Sequence, residues 1–174
     1  MHSGRLSIEA LSEEHESLYC GLFTDPVTMR HVGPPLSMDR ARRRFRRTLE
    51  LARRDQPTGL LFSICEKASG RHIGICALQN IDRVRSRAEV GVMLLSAWHG
   101  QGFGTEALRL VLRTAFAVLA IDEVWGQFDP SHVAVERMNI RAGMIHYGAA
   151  ADYDARPGMR IQRVTRNPQD GRGM

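Results

Sequence analysis

One stretch of the sequence, from Ala88 to Ala107, most constrains what this chain can fold into. It opens with the apolar run Val90–Leu95, which is bounded by turn-forming residues and predicts a buried strand. The glycines that follow fall at alternate positions: Gly100, Gly102 and Gly104. A strongly periodic helix then begins at Thr105. A strand, a glycine-rich turn and a helix N-terminus together offer free backbone N–H groups that can bind phosphate oxygens.

The spacing of these glycines excludes two common nucleotide-binding motifs. The dinucleotide fingerprint needs G-x-G-x-x-G, whereas here the pattern is G-x-G-x-G, and Glu123, near the distance of a ribose ligand, follows the wrong turn. The P-loop needs a lysine after its glycines, and none follows here. An oxidoreductase and a nucleoside triphosphatase are therefore not expected. A glycine-rich turn that binds no ligand remains an alternative.

The stretch resembles a known family. The run from His99 to Gly104 is similar to motif A of the GNAT acetyltransferases, Gln/Arg-x-x-Gly-x-Gly/Ala, although His99 replaces the first residue. The longer string AEVGVMLLSAWHGQGFGTEAL resembles the RimJ/RimL-like branch, which N-acetylates protein α-amines and, in relatives, small-molecule amines. The segment beginning Asp25-Pro26 resembles the same branch. The similarity extends over nearly the whole chain and is strongest over residues 88–130.

The resemblance implies an α/β (α+β) GNAT fold, with a mostly antiparallel mixed sheet of about seven strands flanked by about four helices. Residues 1–166 would form this domain and residues 167–174 a loose polar tail. The apolar patterns agree with the implied order β-α-α-β-β-β-α-β-α-β-β. Strands are predicted at 5–11, 60–66, 72–78, 121–128, 144–150 and 159–165, and further helices at 12–22, 39–55 and 133–142. Gly143 is the predicted C-terminal cap of the last of these helices.

The resemblance also implies acetyl-CoA as the acetyl donor. The loop amides would hold its pyrophosphate, and the strand before the loop would open so that Met93 and Leu94 pair with pantetheine. The residues expected at the coenzyme are Met93, Leu94, His99, Gly100, Gln101, Gly102, Phe103, Gly104, Thr105 and His132.

Amine acetylation needs a base, because the attacking amine must lose a proton. Glu89, at the start of the central strand, resembles a glutamate that some GNAT relatives use as a general base, often through water. The alternative is a surface glutamate paired with Arg85 or Arg87.

The sequence departs from the family pattern at the positions that would protonate the leaving thiolate. Relatives carry Asn-x-x-Ser after the Asp-Pro turn, or a tyrosine four residues later; the matching positions here are His132, Val135 and Asn139. Val135 has no proton to donate, and Asn139 offers only a neutral hydrogen bond. Either the enzyme positions its substrates and lets water, Tyr147 or Tyr153 protonate the sulfur, or the protein is a non-catalytic acyl-CoA-binding partner.

The acceptor is expected to be a peptide or protein N-terminus, with a small-molecule amine as the alternative.

The net charge is +5, with Lys67 the only lysine, and arginines cluster in residues 39–55. This segment predicts an amphipathic helix capped by Ser37, with Met38, Ala41, Phe45, Leu49 and Ala52 on its apolar face. Its arginines form either a solvated face or a rim that attracts an acidic partner and disfavours a polycationic acceptor. Few aromatic residues are interleaved, so direct nucleic-acid binding is not expected.

Other features set the cellular context. The cysteines, Cys20, Cys65 and Cys76, lack metal-ligand spacing and predict buried thiols in a reducing cytoplasm. The histidines never pair at helical spacing, so no metal site is expected. No apolar run of ~18 residues or signal-peptide core is found, and a cytoplasmic monomer or homodimer is expected.

Overall fold

A computed structural model describes residues 3–119, 121–148 and 152–166. The strands are β1 (Leu6–Ala10), β2 (Leu60–Glu66), β3 (Arg71–Asp82), β4 (Arg87–Leu94), β5 (Glu123–Phe128), β6 (Ile145–Tyr147) and β7 (Arg160–Thr165). The helices are α1 (Glu16–Thr24), α2 (Pro26–Met29), α3 (Met38–Ala52), α4 (Phe103–Val118) and α5 (Val133–Arg141).

The strands form one seven-stranded sheet in the order β1-β2-β3-β4-β5-β7-β6. Strands β1 to β4 pair antiparallel in chain order, β4 and β5 pair in parallel, and β7 joins β5 and β6 antiparallel. Because α4 connects β4 to β5, it supplies the crossover that a parallel pair requires. The mixed α/β architecture predicted from the resemblance is confirmed.

Helices cover both faces of the sheet. Helix α4 packs through Leu108, Val111 and Ala115 on one face, against β-strand residues such as Ile73 and Val124. Helices α1 and α3 cover the other face, where Tyr19 and Phe45 pack in the same cluster as Ile75 and Met93. Successive residues of a strand point to opposite faces, so β4 sends alternate side chains to the two cores.

The β4–β5 pairing decides the geometry of the site. The parallel register runs only over Arg87↔Glu123, Ala88↔Val124 and Glu89↔Trp125, although both strands continue beyond it. The sheet therefore splits after Glu89. This split explains why Gly91, Val92 and Met93 are half-buried although the apolar run predicted a fully buried strand.

Helix boundaries differ from the predicted ones where local capping decides them. The chain re-enters a helix at Pro26, because the Asp25 carboxylate accepts the backbone N–H groups of Val27 and Thr28 at 3.1 and 3.2 Å. Helix α4 begins at Phe103, two residues before the predicted Thr105, after Gly102 in a left-handed conformation.

Helix α3 confirms the predicted Ser37 cap, whose hydroxyl accepts the Arg40 N–H at 3.4 Å. Ala41, Phe45 and Leu49 are buried as predicted, but Met38 is 46% exposed, so the apolar stripe begins one turn later. Gly143, with φ +97°, follows the end of α5 and confirms the predicted C-terminal cap.

Some sequence predictions fall outside the described residues, namely the tail 167–174 and the end of the strand predicted to reach Ala150. Of the cysteines, Cys20 and Cys76 are buried and Cys65 is only half-buried. Burial raises the pKa of the Cys76 thiol to about 12, which makes it unreactive. Within the described ranges, no helix has the length and apolar character that a membrane span requires.

Candidate active site

A cavity of about 300 Å³ occupies the split between β4 and β5. Its lining includes Val90–Met93 on one strand and Gly126–Phe128 on the other. Tyr19 and Thr48 line it from the α1/α3 face, whereas Leu108 and Asn139 line it from the α4/α5 face. The cavity therefore reaches both faces of the sheet through the gap.

The glycine-rich turn lies at the α4/α5 side of this cavity. Gly100 and Gly102 have φ values of +75° and +83°, which glycine adopts without strain. The backbone N–H groups from Gly100 to Thr105 donate to no atom in the described part of the chain. A Cβ on Gly104 would lie 2.9 Å from the Sδ of Met138, which lines the cavity, so loop and cavity are in contact.

The N-terminal segment braces this loop. The Glu106 carboxylate accepts the Ser3 hydroxyl at 2.6 Å and the Arg5 backbone N–H at 2.7 Å, and pairs with the Arg5 Nε at 2.9 Å. Burial alone would raise the pKa of Glu106, but these hydrogen bonds outweigh it and hold the pKa below its usual range. The Arg5 guanidinium, half-exposed, also donates to the Gln101 carbonyl at 3.2 Å and covers the Phe103 ring. No local sequence pattern marks Arg5 as part of this turn.

Glu89 lies at the point where the strands separate. It is 4% exposed and lines the cavity, and its carboxylate accepts the Asn80 Nδ2 at 2.7 Å and the Gln127 Nε2 at 2.9 Å. Within the described residues it forms no ion pair; Arg85 pairs with Asp82, and Arg87 donates to the Asp152 carbonyl. The alternative of a surface glutamate paired with Arg85 or Arg87 is therefore wrong.

Both amides that hold Glu89 are positioned by the backbone. Asn80 has φ +49° at an irregularity in the β3–β4 register, which directs its side chain toward Glu89. The Gln127 Oε1 accepts the Arg156 N–H at 2.9 Å, so its amide NH₂ must face the carboxylate. Two neutral donors thus fix the rotamer of Glu89.

His132 precedes α5, and its ring stacks on His31 at a centroid distance of 4.1 Å. Both rings line the cavity. Burial, followed by the charge of His31, lowers the pKa of His132, and nearby Asp129 partly opposes the shift. His132 is consequently mostly neutral at pH 7. Nothing in the local sequence pattern pairs His31 with His132.

Val135 and Asn139 follow on α5 and also line the cavity, with Asn139 buried. The residue positions that matched the family's thiolate contacts therefore do lie at the split. Neither side chain is an acid at neutral pH.

Tyr147 and Tyr153 lie elsewhere, which corrects the suggestion that either protonates the sulfur. The Tyr147 hydroxyl donates to Asp152 at 2.8 Å, and the Tyr153 hydroxyl donates to Glu123 at 2.7 Å. Burial and the Glu123 hydrogen bond raise the pKa of Tyr153 to about 12. Neither ring lines the cavity, and both pack near Trp125 instead.

Most of the predicted site residues thus fall into two groups. Glu89, Met93, His132 and Asn139 line the cavity. Gly100, Gln101 and Gly102 form the adjoining turn, and Phe103, Gly104 and Thr105 are the first residues of α4.

His99 and Leu94 are bonded to each other at the start of this turn. The His99 Nε2 donates to the Leu94 carbonyl at 2.9 Å. The ring therefore stabilises the link between strand and turn. Its N–H group also occupies one lone pair of the Leu94 carbonyl oxygen.

The fold brings three potential metal ligands together although the histidines are far apart in sequence. Donor atoms of Glu9, His15 and His72 lie within 4.8 Å of one another. However, the His15 Nδ1 accepts the Ser12 backbone N–H at 3.0 Å, so in the neutral ring the proton is on Nε2, which faces Glu9 at 3.2 Å. A metal-binding nitrogen must be unprotonated, and this hydrogen bond opposes that form.

Comparisons with known proteins agree with this geometry. A family model described as the acetyltransferase (GNAT) domain matches residues 5–145. An uncharacterized N-acetyltransferase, p20, from Bacillus licheniformis is 23% identical over 163 residues, covering 92% of this chain and 90% of the relative.

Two solved structures share the fold. The spermidine N-acetyltransferase of Vibrio cholerae, in complex with CoA and spermine, has a TM-score of 0.78 at 15% identity, covering 92% of this chain and 95% of its own. RimL, a ribosomal L7/L12 alpha-N-protein acetyltransferase in complex with coenzyme A, also has a TM-score of 0.78 at 15% identity, covering 94% and 95%. At this identity, the likeness concerns the fold alone.

Proposed function

The chain belongs to the GNAT acetyltransferase family and is an acyl-CoA-dependent N-acyltransferase, and from this premise we propose that it transfers an acetyl group from acetyl-CoA to a peptide or protein N-terminal amine. The observation that carries the proposal is the split sheet. It places a buried carboxylate, Glu89, in the same cavity as the open backbone edge of β4.

In this proposal the coenzyme lies along the α4/α5 side of the split. The free N–H groups from Gly100 to Thr105 bind the pyrophosphate, assisted by the positive end of the α4 dipole. The Arg5 guanidinium, paired with Glu106, lies beside Gly102 at the same turn. The pantetheine arm pairs with β4 near Met93 and Leu94 and passes His132, which immediately precedes α5.

Glu89 is the proposed base. It accepts a proton from the acceptor amine, directly or through one water, because its carboxylate is held in place by two amide donors and reaches the cavity. The nitrogen lone pair then attacks the thioester carbonyl. Backbone N–H groups of the open β4 edge supply donors for the oxygen of the tetrahedral intermediate.

The thiolate leaves without a side-chain acid in this scheme. Asn139 donates a neutral N–H bond to the sulfur, and water supplies the proton. Orientation of both substrates in one cavity can supply a large part of the rate enhancement, about 7–11 kcal/mol at best. The ordered Glu89 site favours catalysis over a non-catalytic acyl-CoA-binding partner, which would have no use for a fixed base.

The peptide acceptor follows the RimJ/RimL-like resemblance and the fold shared with RimL. A small-molecule amine is the second candidate, because the spermidine N-acetyltransferase shares the fold equally well. The loop containing Val32 lines the cavity mouth on the α1/α3 face, where either acceptor would enter.

Isothermal titration of acetyl-CoA tests the coenzyme site with two matched variants. Gly102→Val should raise the Kd at least about tenfold, since a β-branched residue at φ +83° must distort the turn. Gly70→Val is the control: it places the same side chain at φ +66°, in the β2–β3 turn, and should leave the Kd unchanged. Absence of wild-type binding, or equal Kd values for wild type and Gly102→Val, would refute the coenzyme site.

A further inference from the structure

The acceptor side of the cavity can be identified from its lining. Glu89 and Gln127 bond to each other on the sheet face that α1 and α3 cover, and residues of that face, Tyr19 and Thr48, line the same cavity. The coenzyme turn lies on the opposite face, at the N-terminus of α4. If Glu89 is the base, the amine acceptor therefore approaches from the α1/α3 side. Any inference about the acceptor that is drawn from this side rests on the proposed function.

Two arginines line the mouth on this side without a carboxylate partner. The Arg44 guanidinium lies over the Phe23 ring at 4.5 Å, and the Arg156 Nη1 donates to the Val32 carbonyl at 2.9 Å. Neither forms an ion pair within the described ranges of the chain. Neutral groups thus hold both guanidinium groups in place, and no carboxylate among the described residues balances their positive charge.

Acidic groups do line the cavity, but they are engaged elsewhere. Glu89 binds its two amides, and Asp129 accepts the Ser131 hydroxyl and N–H at 2.6 and 2.8 Å while facing His31 and His132. The mouth therefore differs from a site for a polycation, which would need carboxylates directed at the ligand.

The positive charge continues from Arg44 along the outer face of α3. Arg40, Arg43 and Arg47 share one face with Arg44 because they follow the i, i+3, i+4, i+7 spacing of a helix. All are exposed, and Arg40, Arg43 and Arg47 form no ion pair in the described part of the chain. In contrast, Arg42 pairs with Glu16 and Arg53 with Glu13. We call Arg40, Arg43, Arg44 and Arg47 the α3 arginine row.

We propose that the acceptor is a polypeptide whose N-terminal segment is acidic: its α-amine reaches Glu89 between Arg44 and Arg156 while its following residues lie along the α3 arginine row. From Arg40 to Arg47 the helix rises about 10 Å, which about three extended residues span. A free amino acid or other small amine bound inside the cavity does not extend along Arg40, Arg43 and Arg47, which lie outside the cavity lining. A peptide chain can, and its carboxylates complement the row.

The test compares three peptides with the same N-terminal residue, followed by glutamates, serines or lysines, with spermidine as a fourth acceptor. Coenzyme A release gives kcat/KM at low and high salt. The acidic peptide should exceed the lysine peptide by at least about tenfold at low salt, and the gap should shrink as salt screens the charges.

Charge-reversal variants locate the effect. Arg43→Glu with Arg47→Glu should reverse or abolish the preference and leave the acetyl-CoA Kd unchanged, because both residues lie on the face opposite the coenzyme turn. Arg113→Glu, at an exposed position of α4, is the matched control and should keep the preference.

Other outcomes would refute either this inference or the proposed function. Equal rates for all peptides, or a faster reaction with spermidine, would overturn this inference and leave the acetyltransferase function in place. Inhibition by a single-stranded oligonucleotide that exceeds inhibition by an N-acetylated acidic peptide would assign the row to nucleic acid instead. Acetyl-CoA binding without turnover of any amine would overturn both the inference and the proposed function.

Discussion

Replacing Glu89 by glutamine tests the proposed base with the least structural change. The substitution keeps the shape of the side chain and removes only its charge and its basicity. Gln127 cannot turn its amide over without losing the bond to the Arg156 N–H, so it continues to donate to the remaining carbonyl oxygen. Asn80 is exposed, and its side chain bonds only to Glu89 among the described residues, so it can flip and accept from the new amide.

The expected free energies separate stability from catalysis. Two neutral hydrogen bonds replace two charge-assisted ones, a loss of about 1 kcal/mol each, and relief of the buried carboxylate from desolvation offsets much of it. Loss of a general base lowers the rate by about 10²- to 10⁴-fold, or roughly 3–5 kcal/mol of transition-state stabilisation. The variant should therefore fold as wild type does but turn over slowly.

The assay is coenzyme A release with a fixed peptide, together with acetyl-CoA titration and thermal unfolding. Glu89→Gln should keep the acetyl-CoA Kd within about twofold and lower kcat by at least about a hundredfold. Glu50→Gln, at an exposed position of α3, is the control for loss of a single negative charge. A Glu89→Gln enzyme with kcat within about threefold of wild type would show that Glu89 is not the base.

Two further predictions concern the coenzyme turn and the histidine pair. Arg5→Ala removes the donor to the Gln101 carbonyl and the partner of Glu106, and should weaken acetyl-CoA binding by about three- to tenfold. The control Arg113→Ala should leave the Kd unchanged. An unchanged Kd for Arg5→Ala would show that the contacts of Arg5 do not matter for binding. The folded-state pKa of His132 lies below the usual 6.5, so its contribution to stability is fully present above pH 6.5 and is lost as the pH falls through the folded value. The melting temperature should therefore fall less steeply below pH 6.5 in His132→Gln than in wild type, and parallel curves would contradict the burial of this ring.

Elements with local signals could be predicted from the sequence. The apolar run of β4, the alternating glycines and the periodicity of α4 predicted a strand, turn and helix, and the structure has all three. Caps at Ser37 and Gly143 were also predicted, because a capping residue acts on backbone groups within a few positions of itself. The family resemblance added the mixed sheet and the expected position of the coenzyme.

Contacts between distant segments decide how the site is assembled, and these appear only in the folded chain. Glu89 is fixed by Asn80 from an adjacent strand and by Gln127 from the strand across the split, and no pattern along the chain records those partners. His31 meets His132, and Arg156 meets Val32, only because separate loops converge at one mouth. Tyr147 and Tyr153 looked equally available in the sequence, but their hydroxyls are bonded to carboxylates away from the cavity.

The physical reason is the range of each interaction. Helix periodicity, turn preferences and caps are set by residues within about one or two turns of one another, so they can be read from the sequence. The cavity exists because the β4–β5 ladder ends at Glu89↔Trp125, and the point at which two strands part depends on how both pack against different helices. That packing is a property of the folded chain.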